Sequence, residues 1–132
     1  MHRAKAALAA VFASFLLGVA LWPDAPVPSF RDKIQPILDR ECVECHGPKR
    51  AKARLDLSAG RAHSNLVGVP SSERPEILRV KPGDPEASYL WLKLDHRAPE
   101  GSGMPKGLFL SRRLSREDLD LIRLWIQAGA PH

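Results

Sequence analysis

The segment Cys42-Val43-Glu44-Cys45-His46 constrains the fold of this chain more than any other, because it contains both cysteines of the sequence. Two thiols three positions apart, followed directly by an imidazole, can form a disulfide, bind zinc, act as a thiol redox pair, or attach haem covalently. Each of these would hold the local backbone by bonds that ordinary packing does not supply. The chemistry of this motif therefore determines how the rest of the sequence is interpreted.

The residues around the motif favour one of the four interpretations. An exported protein could oxidise the two thiols to a disulfide, but that leaves the histidine without a role. Zinc requires four ligands, and the remaining histidines and acidic residues have no ligand-like spacing. A thiol redox pair needs a strand and helix context that this segment lacks. Covalent haem uses all three residues, with thioether bonds from Cys42 and Cys45 to the vinyl groups and His46 on the iron. The motif thus predicts one haem c, with the other interpretations left open.

A second axial ligand for the iron is predicted in the segment EGSGMPKG. Met104 is the only methionine apart from the initiator, and it lies in a polar loop where a core methionine would be out of place. Its neighbouring glycine would let the backbone approach the haem closely, and Pro105 would stiffen the loop. Met104 is therefore the predicted sixth ligand, with His96 or His63 as the alternative if the iron has two imidazoles.

Residues 1–22 have the pattern of an export segment. Basic residues come first, and no charge occurs between Ala6 and Trp22. The apolar stretch could be cleaved as a signal peptide or stay in the bilayer as an N-terminal anchor, with membrane contact through residues 6–22. In both cases the rest of the chain lies in the periplasm. Residues 23–29 are predicted to be a Pro-rich linker, and residues 30–132 a single domain.

Two segments of this domain have apolar residues at helical spacing. The first begins near Phe30 and leads to Cys42. Pro36 either kinks this helix or lies in the first turn of a helix whose regular part begins at Gln35. The second is predicted from Pro85 to about Leu94, where an acidic N-cap and a proline mark the start.

The helix near the C-terminus has the clearest boundaries in the sequence. Ser115 and Asp118 resemble a capping box, an apolar stripe follows, and Gly129 can end the helix. A shorter helix is predicted around Ser58 to Leu66, while the segments LDL and LRV are too brief to build a sheet. The pattern therefore predicts a small all-α domain with long loops rich in proline and glycine.

The formal net charge is +5, and several cations are clustered. Nucleic acid is not an expected partner, because the domain lies outside the cytoplasm and no aromatic residues alternate with the basic ones. A solvated face explains any single cluster, and an acidic protein partner is the favoured functional interpretation. One cluster follows the cysteine motif and consists of Lys49, Arg50, Lys52 and Arg54. The other precedes the last helix and consists of Arg112, Arg113 and Arg116.

The sequence resembles a known family at several of these points. The segments IQPILDRECVECHG, LVGVPSSERPEILRVKPGDPEASYLWLKL, GMP and LSREDLDLIRLWIQAGA are similar to planctomycete-type cytochrome c domains, within the mono-haem class I cytochromes c, from about Phe30 to Ala130. The resemblance implies about three to five helices wrapped around one haem. It also implies thioether bonds at Cys42 and Cys45 and axial ligation by His46 and Met104.

The function implied by this resemblance is single-electron transfer rather than enzymatic catalysis. With both axial positions filled, the iron has no open site for a substrate. The expected partners are redox proteins with acidic docking surfaces, including a membrane respiratory complex if the anchor is retained. The alternative is a haem-based sensor in which a small gas displaces Met104.

Overall fold

The computed structural model describes residues 26–107 and 112–132. The predicted export segment, residues 1–22, and the first part of the predicted linker lie outside the described residues. Within the described part of the chain, no helix combines the length and the apolar content needed to cross a bilayer.

The first helical segment has two parts. A π-helical turn, Phe30–Ile34, leads directly into helix α1, Gln35–Glu41. Pro36 lies in the first turn of α1, where its missing N–H costs no hydrogen bond. Of the two alternatives predicted for Pro36, the structure shows the one in which the regular helix begins at Gln35. The apolar stripe of this segment is buried in the core: Phe30, Ile34, Ile37 and Leu38.

The chain leaves helical conformation at the cysteine motif. Strand β1, His46–Gly47, pairs antiparallel with strand β2, Arg50–Ala51, and a 3-10 turn, Lys52–Arg54, follows. Gly47 is required at this turn, because a Cβ there would lie 2.4 Å from the carbonyl oxygen of Val43. The motif is thus followed at once by a tight hairpin.

The predicted all-α fold is wrong. The described residues combine four short α-helices with the two-stranded sheet and with two isolated bridges, Val67 to Val80 and Pro70 to Leu78. The segment from Gly47 to Arg54 has no apolar stripe that could bury one face of a helix. Its backbone groups therefore form hydrogen bonds across a hairpin instead. Part of the LRV segment pairs through these bridges, which the sequence analysis did not anticipate.

The predicted helix from Pro85 to Leu94 is also interrupted. A 3-10 turn, Pro85–Ala87, precedes helix α3, Tyr89–Leu94, and Ser88 between them is extended. The hydroxyl of Ser88 donates to the carbonyl oxygen of Asp84 at 2.8 Å and accepts from the backbone N–H of Lys81 at 2.9 Å. These two bonds hold the chain out of helical conformation at this point. Helix α2, Ala62–Leu66, is likewise shorter than predicted.

Helix α4, Arg116–Gln127, matches its prediction closely. The Ser115 hydroxyl accepts from the backbone N–H of Asp118 at 3.1 Å, and Gly129 has a φ of 96° just beyond the helix. The fully buried Trp125 packs against Phe30 with ring centroids 5.2 Å apart. The two ends of the domain therefore meet in one core.

Candidate functional site

A single turn holds the Cys-x-x-Cys-His motif together. Cys42 caps the end of α1, and its backbone N–H donates to the carbonyl oxygen of Leu38. The N–H groups of Cys45 and His46 both donate to the carbonyl oxygen of Cys42, at 3.1 and 2.8 Å. The motif therefore lies on a turn between α1 and β1. The turn directs the three side chains to one cavity.

This cavity has a volume of about 350 Å³, which falls within the ~300–1,000 Å³ usual for cofactor and ligand sites. All four residues predicted to bind haem line it: Cys42, Cys45, His46 and Met104. Leucine side chains contribute to its apolar wall: Leu55, Leu66 and Leu90. The structure therefore brings the motif and the distant methionine segment to one apolar site.

The ring of His46 is oriented by a backbone carbonyl group. Its Nδ1 lies 2.9 Å from the carbonyl oxygen of Lys52, which can only accept a hydrogen bond. The proton of the neutral ring is therefore on Nδ1, and Nε2 keeps a free lone pair. Burial is the main cause that lowers the pKa of His46, which favours the neutral ring. These features are those of an imidazole prepared to bind a metal.

Two hydrogen bonds define the backbone position of Met104. Its backbone N–H donates to the carbonyl oxygen of Lys93 at 2.9 Å, and its own carbonyl oxygen accepts from Nε2 of His96 at 3.2 Å. The next peptide bond, to Pro105, is cis. Gly103 lies so close to the His96 ring that a Cβ would approach its Cγ to 2.4 Å. The Met104 side chain is half-buried and packs against the core.

Neither of the alternative ligands, His96 and His63, is among the described residues that line the cavity. His96 is engaged with the carbonyl oxygen of Met104. His63 donates from Nε2 to the carbonyl oxygen of Ala130 at 2.9 Å and packs edge-on against Phe30. The structure thus brings neither alternative into the set formed by the motif and Met104.

The surroundings of Cys42 do not favour the thiolate that a redox pair needs. Burial, with a contribution from the charge of Glu41, raises the pKa of Cys42 to about 12. A redox thiol needs a lowered pKa, because the thiolate is the nucleophile. Both cysteines are free thiols in the structure. Among the residues that the structure describes, no three histidine, cysteine, aspartate or glutamate side chains form a group that could hold a metal ion.

Positive charge predominates among the ionised side chains at the cavity. One of them, Arg79, donates from its guanidinium to the carbonyl oxygen of Asn65 at 2.8 Å, and burial lowers its pKa. Cations could balance the two acidic propionate groups of a porphyrin. The charged lining residues are Lys52, Arg79, Lys93, Lys106 and Arg112, with Glu41, Glu44 and Glu73.

Sequence reasoning missed the charge network around the buried Lys93 at this cavity. Lys93 is only 7% exposed, and its ammonium lies 2.6 Å from a carboxylate oxygen of Glu73. The Tyr89 hydroxyl donates to the same oxygen at 2.8 Å. The spacing of Tyr89 and Lys93, four residues apart on a predicted helix, was a signal that the lysine lies on the apolar face.

The donor set of the cavity fits haem: two thiols, an imidazole with a free Nε2, a thioether and an apolar wall. Comparison with family models agrees with this fit. The family described as planctomycete cytochrome C matches residues 42–107, half of the chain. The chain belongs to the planctomycete cytochrome c family. The resemblance predicted from the sequence is therefore confirmed, and the protein is a c-type cytochrome for which haem c is the implied cofactor.

The matched segment of this cytochrome begins at Cys42 and includes Met104, so it contains all four predicted haem-binding residues. It is shorter than the range from Phe30 to Ala130 over which the sequence resembles the family. No curated protein matches the chain, and no solved structure matches it.

Proposed function

We propose that this cytochrome carries single electrons by means of one haem c. Cys42 and Cys45 would hold the porphyrin by thioether bonds, and His46 and Met104 would be the axial ligands. The observation that carries the proposal is the single cavity lined by both thiols, by the oriented imidazole and by Met104. The haem supplies an iron that alternates between the ferric and ferrous states.

The protein contributes orientation and burial to this function. Lys52 fixes the tautomer of His46 through its carbonyl oxygen, so the imidazole is already turned for ligation before it binds. The leucines of the cavity wall would exclude water from the haem, and the solvent exposure of a haem is one of the factors that set its reduction potential. A second axial ligand from Met104 would leave no position for a substrate, so we propose electron transfer and not an enzymatic reaction.

We further propose that an acidic redox partner docks on the basic hairpin, defined as residues 49–54. Its four cations are exposed and flank the cavity through Lys52. Among the ion pairs formed by the described residues, none includes these four side chains. Free positive charge near the cofactor would orient a partner of opposite charge and accelerate encounter. The four cations are Lys49, Arg50, Lys52 and Arg54.

The proposed location is the periplasm. It rests on the sequence of residues 1–22, in which a basic start precedes an uncharged stretch. With the segment retained, the domain would be a tethered carrier or a subunit of a membrane respiratory complex. Cell fractionation together with the intact mass of the mature protein tests both the location and the cleavage.

The proposed cofactor chemistry is tested on protein produced in a host that matures c-type cytochromes. Each thiol would add across a vinyl group without loss of atoms, so the expected mass is that of the polypeptide plus one whole haem. The ferric wild type should show the weak long-wavelength absorption band of methionine-ligated iron, and Met104→Ala should lack it. A colourless protein with the bare polypeptide mass would refute the proposal.

The same preparation distinguishes the carrier from the sensor. In a carrier, Met104 stays bound, and carbon monoxide reacts slowly with the ferrous wild type and much faster with Met104→Ala. Equally fast binding by both proteins would favour a gas sensor. A Lys81→Leu variant is the control, because Lys81 pairs with Asp84 and does not line the cavity, and it should bind carbon monoxide as slowly as the wild type.

The docking proposal is tested by the salt dependence of electron exchange with an acidic redox protein. The rate should fall as ionic strength rises, since screening over ~10 Å at 0.1 M weakens attraction between exposed charges. Replacing the four cations of the basic hairpin by glutamine should lower the rate at low salt and remove most of the salt dependence. An unchanged rate in this variant would place the docking surface elsewhere.

A further inference from the structure

Lys93 is a buried cation at the wall of the cavity, placed there by helix α3. Burying an ammonium group is costly unless charge and hydrogen bonds compensate it. Its charge is balanced by Glu73, at 2.6 Å, and its ammonium also lies 5.2 Å from the centre of the Tyr89 ring. The Tyr89 hydroxyl in turn binds Glu73. The ammonium is therefore held in a fixed position.

The other side-chain hydrogen bonds of Lys93 go to the segment that ends in Met104. We call residues 100–104 the ligand loop. The ammonium donates to the carbonyl oxygens of Glu100 at 2.8 Å and Ser102 at 3.4 Å. The backbone carbonyl of Lys93 accepts from the N–H of Met104 at 2.9 Å. One residue thus binds the ligand loop at three points spread over its length.

The ligand loop passes close over this ammonium. A Cβ on Gly101 would lie 3.0 Å from Nζ of Lys93, and Gly101 has a φ of 67°, in the left-handed region that favours glycine. A side chain at position 101 would therefore crowd the ammonium, so the loop conformation and the position of the lysine both depend on glycine there. Hydrogen bonds to a charged donor are the stronger ones, and burial strengthens them further.

We propose that Lys93 is a positioning residue that holds the ligand loop so that the Met104 sulfur stays at the iron. The inference rests on the proposed function, in which Met104 is an axial ligand. Glu73 supplies the counter-charge that fixes the ammonium, and Tyr89 fixes Glu73. Without the ammonium, Glu100 and Ser102 lose their shared donor, and the ligand loop moves away from the cavity more often.

The test compares holoprotein variants in which a lysine is replaced by leucine, which has no charge, no hydrogen-bond donor and no sulfur that could bind the iron. Lys93→Leu should weaken the long-wavelength band of the ferric protein, lower the reduction potential and accelerate carbon monoxide binding to the ferrous form by about tenfold or more. A change of this size is what the loss of a charge-assisted hydrogen bond produces in an equilibrium. Lys81→Leu is the control, since Lys81 pairs with Asp84 away from the ligand loop. It should leave all three readouts at the wild-type values.

A second variant keeps the test decisive if Lys93→Leu yields no folded holoprotein. Lys93→Gln keeps hydrogen-bond donors, but its amide nitrogen is uncharged and one bond nearer the backbone than the ammonium, so its bonds to the two loop carbonyls should be weaker. Carbon monoxide binding about threefold faster than in the wild type supports the proposal. A wild-type rate in a folded Lys93→Gln protein overturns it, as does an unchanged band and rate in Lys93→Leu.

Hydrogen exchange separates this inference from the proposed ligation. In the wild type the amide of Met104 should be protected by the carbonyl of Lys93, and in Lys93→Leu the protection of the ligand loop should fall while that of α4 stays constant. A wild type without the methionine band would refute ligation by Met104, and the exchange data would still report whether Lys93 holds the loop. A band that is present in the wild type and unchanged in Lys93→Leu, with unchanged exchange, refutes the role of Lys93 alone.

Discussion

Backbone groups position the two predicted axial ligands. The imidazole of His46 is oriented by the carbonyl oxygen of Lys52, and Met104 is held through its N–H by Lys93. Backbone partners of this kind cannot be read from side-chain identity. The motif therefore predicts which residues bind the cofactor, while the contacts that orient them become visible only in the folded chain.

Gly103 is expected to be sensitive to a single added methyl group. In Gly103→Ala the new Cβ would lie 2.4 Å from Cγ of His96, so the ligand loop or the ring must shift. We expect a loss of about 1–3 kcal/mol in the free energy of unfolding, the usual cost of overpacking, and a weaker methionine band. Denaturant titration and absorbance of the holoprotein measure the two effects.

The clash in Gly103→Ala has a matched control. The double variant Gly103→Ala/His96→Ala removes the ring that the methyl group would meet, so most of the lost band intensity should return. If the double variant is as impaired as the single one, steric contact with His96 does not explain the effect.

The stability of the protein should depend on Glu73 in a defined pH range. The hydrogen bond from Lys93 is the main cause that lowers the pKa of Glu73 below its usual 4.5. The stabilisation is therefore complete above about pH 4.5 and is lost as the pH falls through the lower folded-state pKa. Its size is about 1 kcal/mol or less, because the carboxylate is 38% exposed and water screens the ion pair.

Glu73→Gln provides the measurement. The difference in free energy of unfolding between the wild type and this variant should be largest near pH 7 and should shrink as the pH is lowered below 4.5. Glu76→Gln is the comparison, since Glu76 pairs with the surface residue Arg74. A pH-independent difference for Glu73→Gln would mean that the ionised carboxylate is not the stabilising form.

At the scale of elements, the bounds of a helix were predicted best where local sequence signals and packing agree. Helix α4 has a capping serine, an apolar stripe and a terminal glycine, and it forms over Arg116–Gln127. The hairpin of β1 and β2 could not be predicted, because it arises where apolar periodicity is missing and the backbone must pair with itself. The break at Ser88 depends on bonds to Lys81 and Asp84, which no propensity encodes. The error in fold class came from the hairpin and from the bridges of Val67 to Val80 and Pro70 to Leu78.

The cap of α4 permits a quantitative test. The Ser115 hydroxyl accepts from the N–H of Asp118 at 3.1 Å, so Ser115→Ala should destabilise the protein by about 1 kcal/mol. Ser115→Gly should cost only a few tenths of a kcal/mol, because glycine leaves the end of the helix open to water. Thermal unfolding of the two variants distinguishes them, and equal losses would show that the cap does not contribute in this way. The visible spectrum should stay unchanged in both.

For the whole molecule, the cofactor site and the core share their residues. Leu66 lies in the central core and also lines the cavity, and Leu55 and Leu90 pack against the same core. A domain of this length buries a limited apolar area, and stabilities of small domains are only about 5–15 kcal/mol. A covalently held haem that covers these leucines would therefore contribute a large part of the stability.

Removal of both thioether bonds should accordingly change the fold as well as the colour. We expect Cys42→Ser/Cys45→Ser, produced in the same host as the wild type, to lose haem on gel filtration and to unfold at a much lower temperature. The single variants Cys42→Ser and Cys45→Ser keep one thiol and should retain haem with intermediate stability. Far-ultraviolet circular dichroism and thermal unfolding measure the effect. A colourless double variant that unfolds at the wild-type temperature would mean that the core of Phe30, Trp125 and their neighbours is sufficient, and that haem serves electron transfer without supporting the fold.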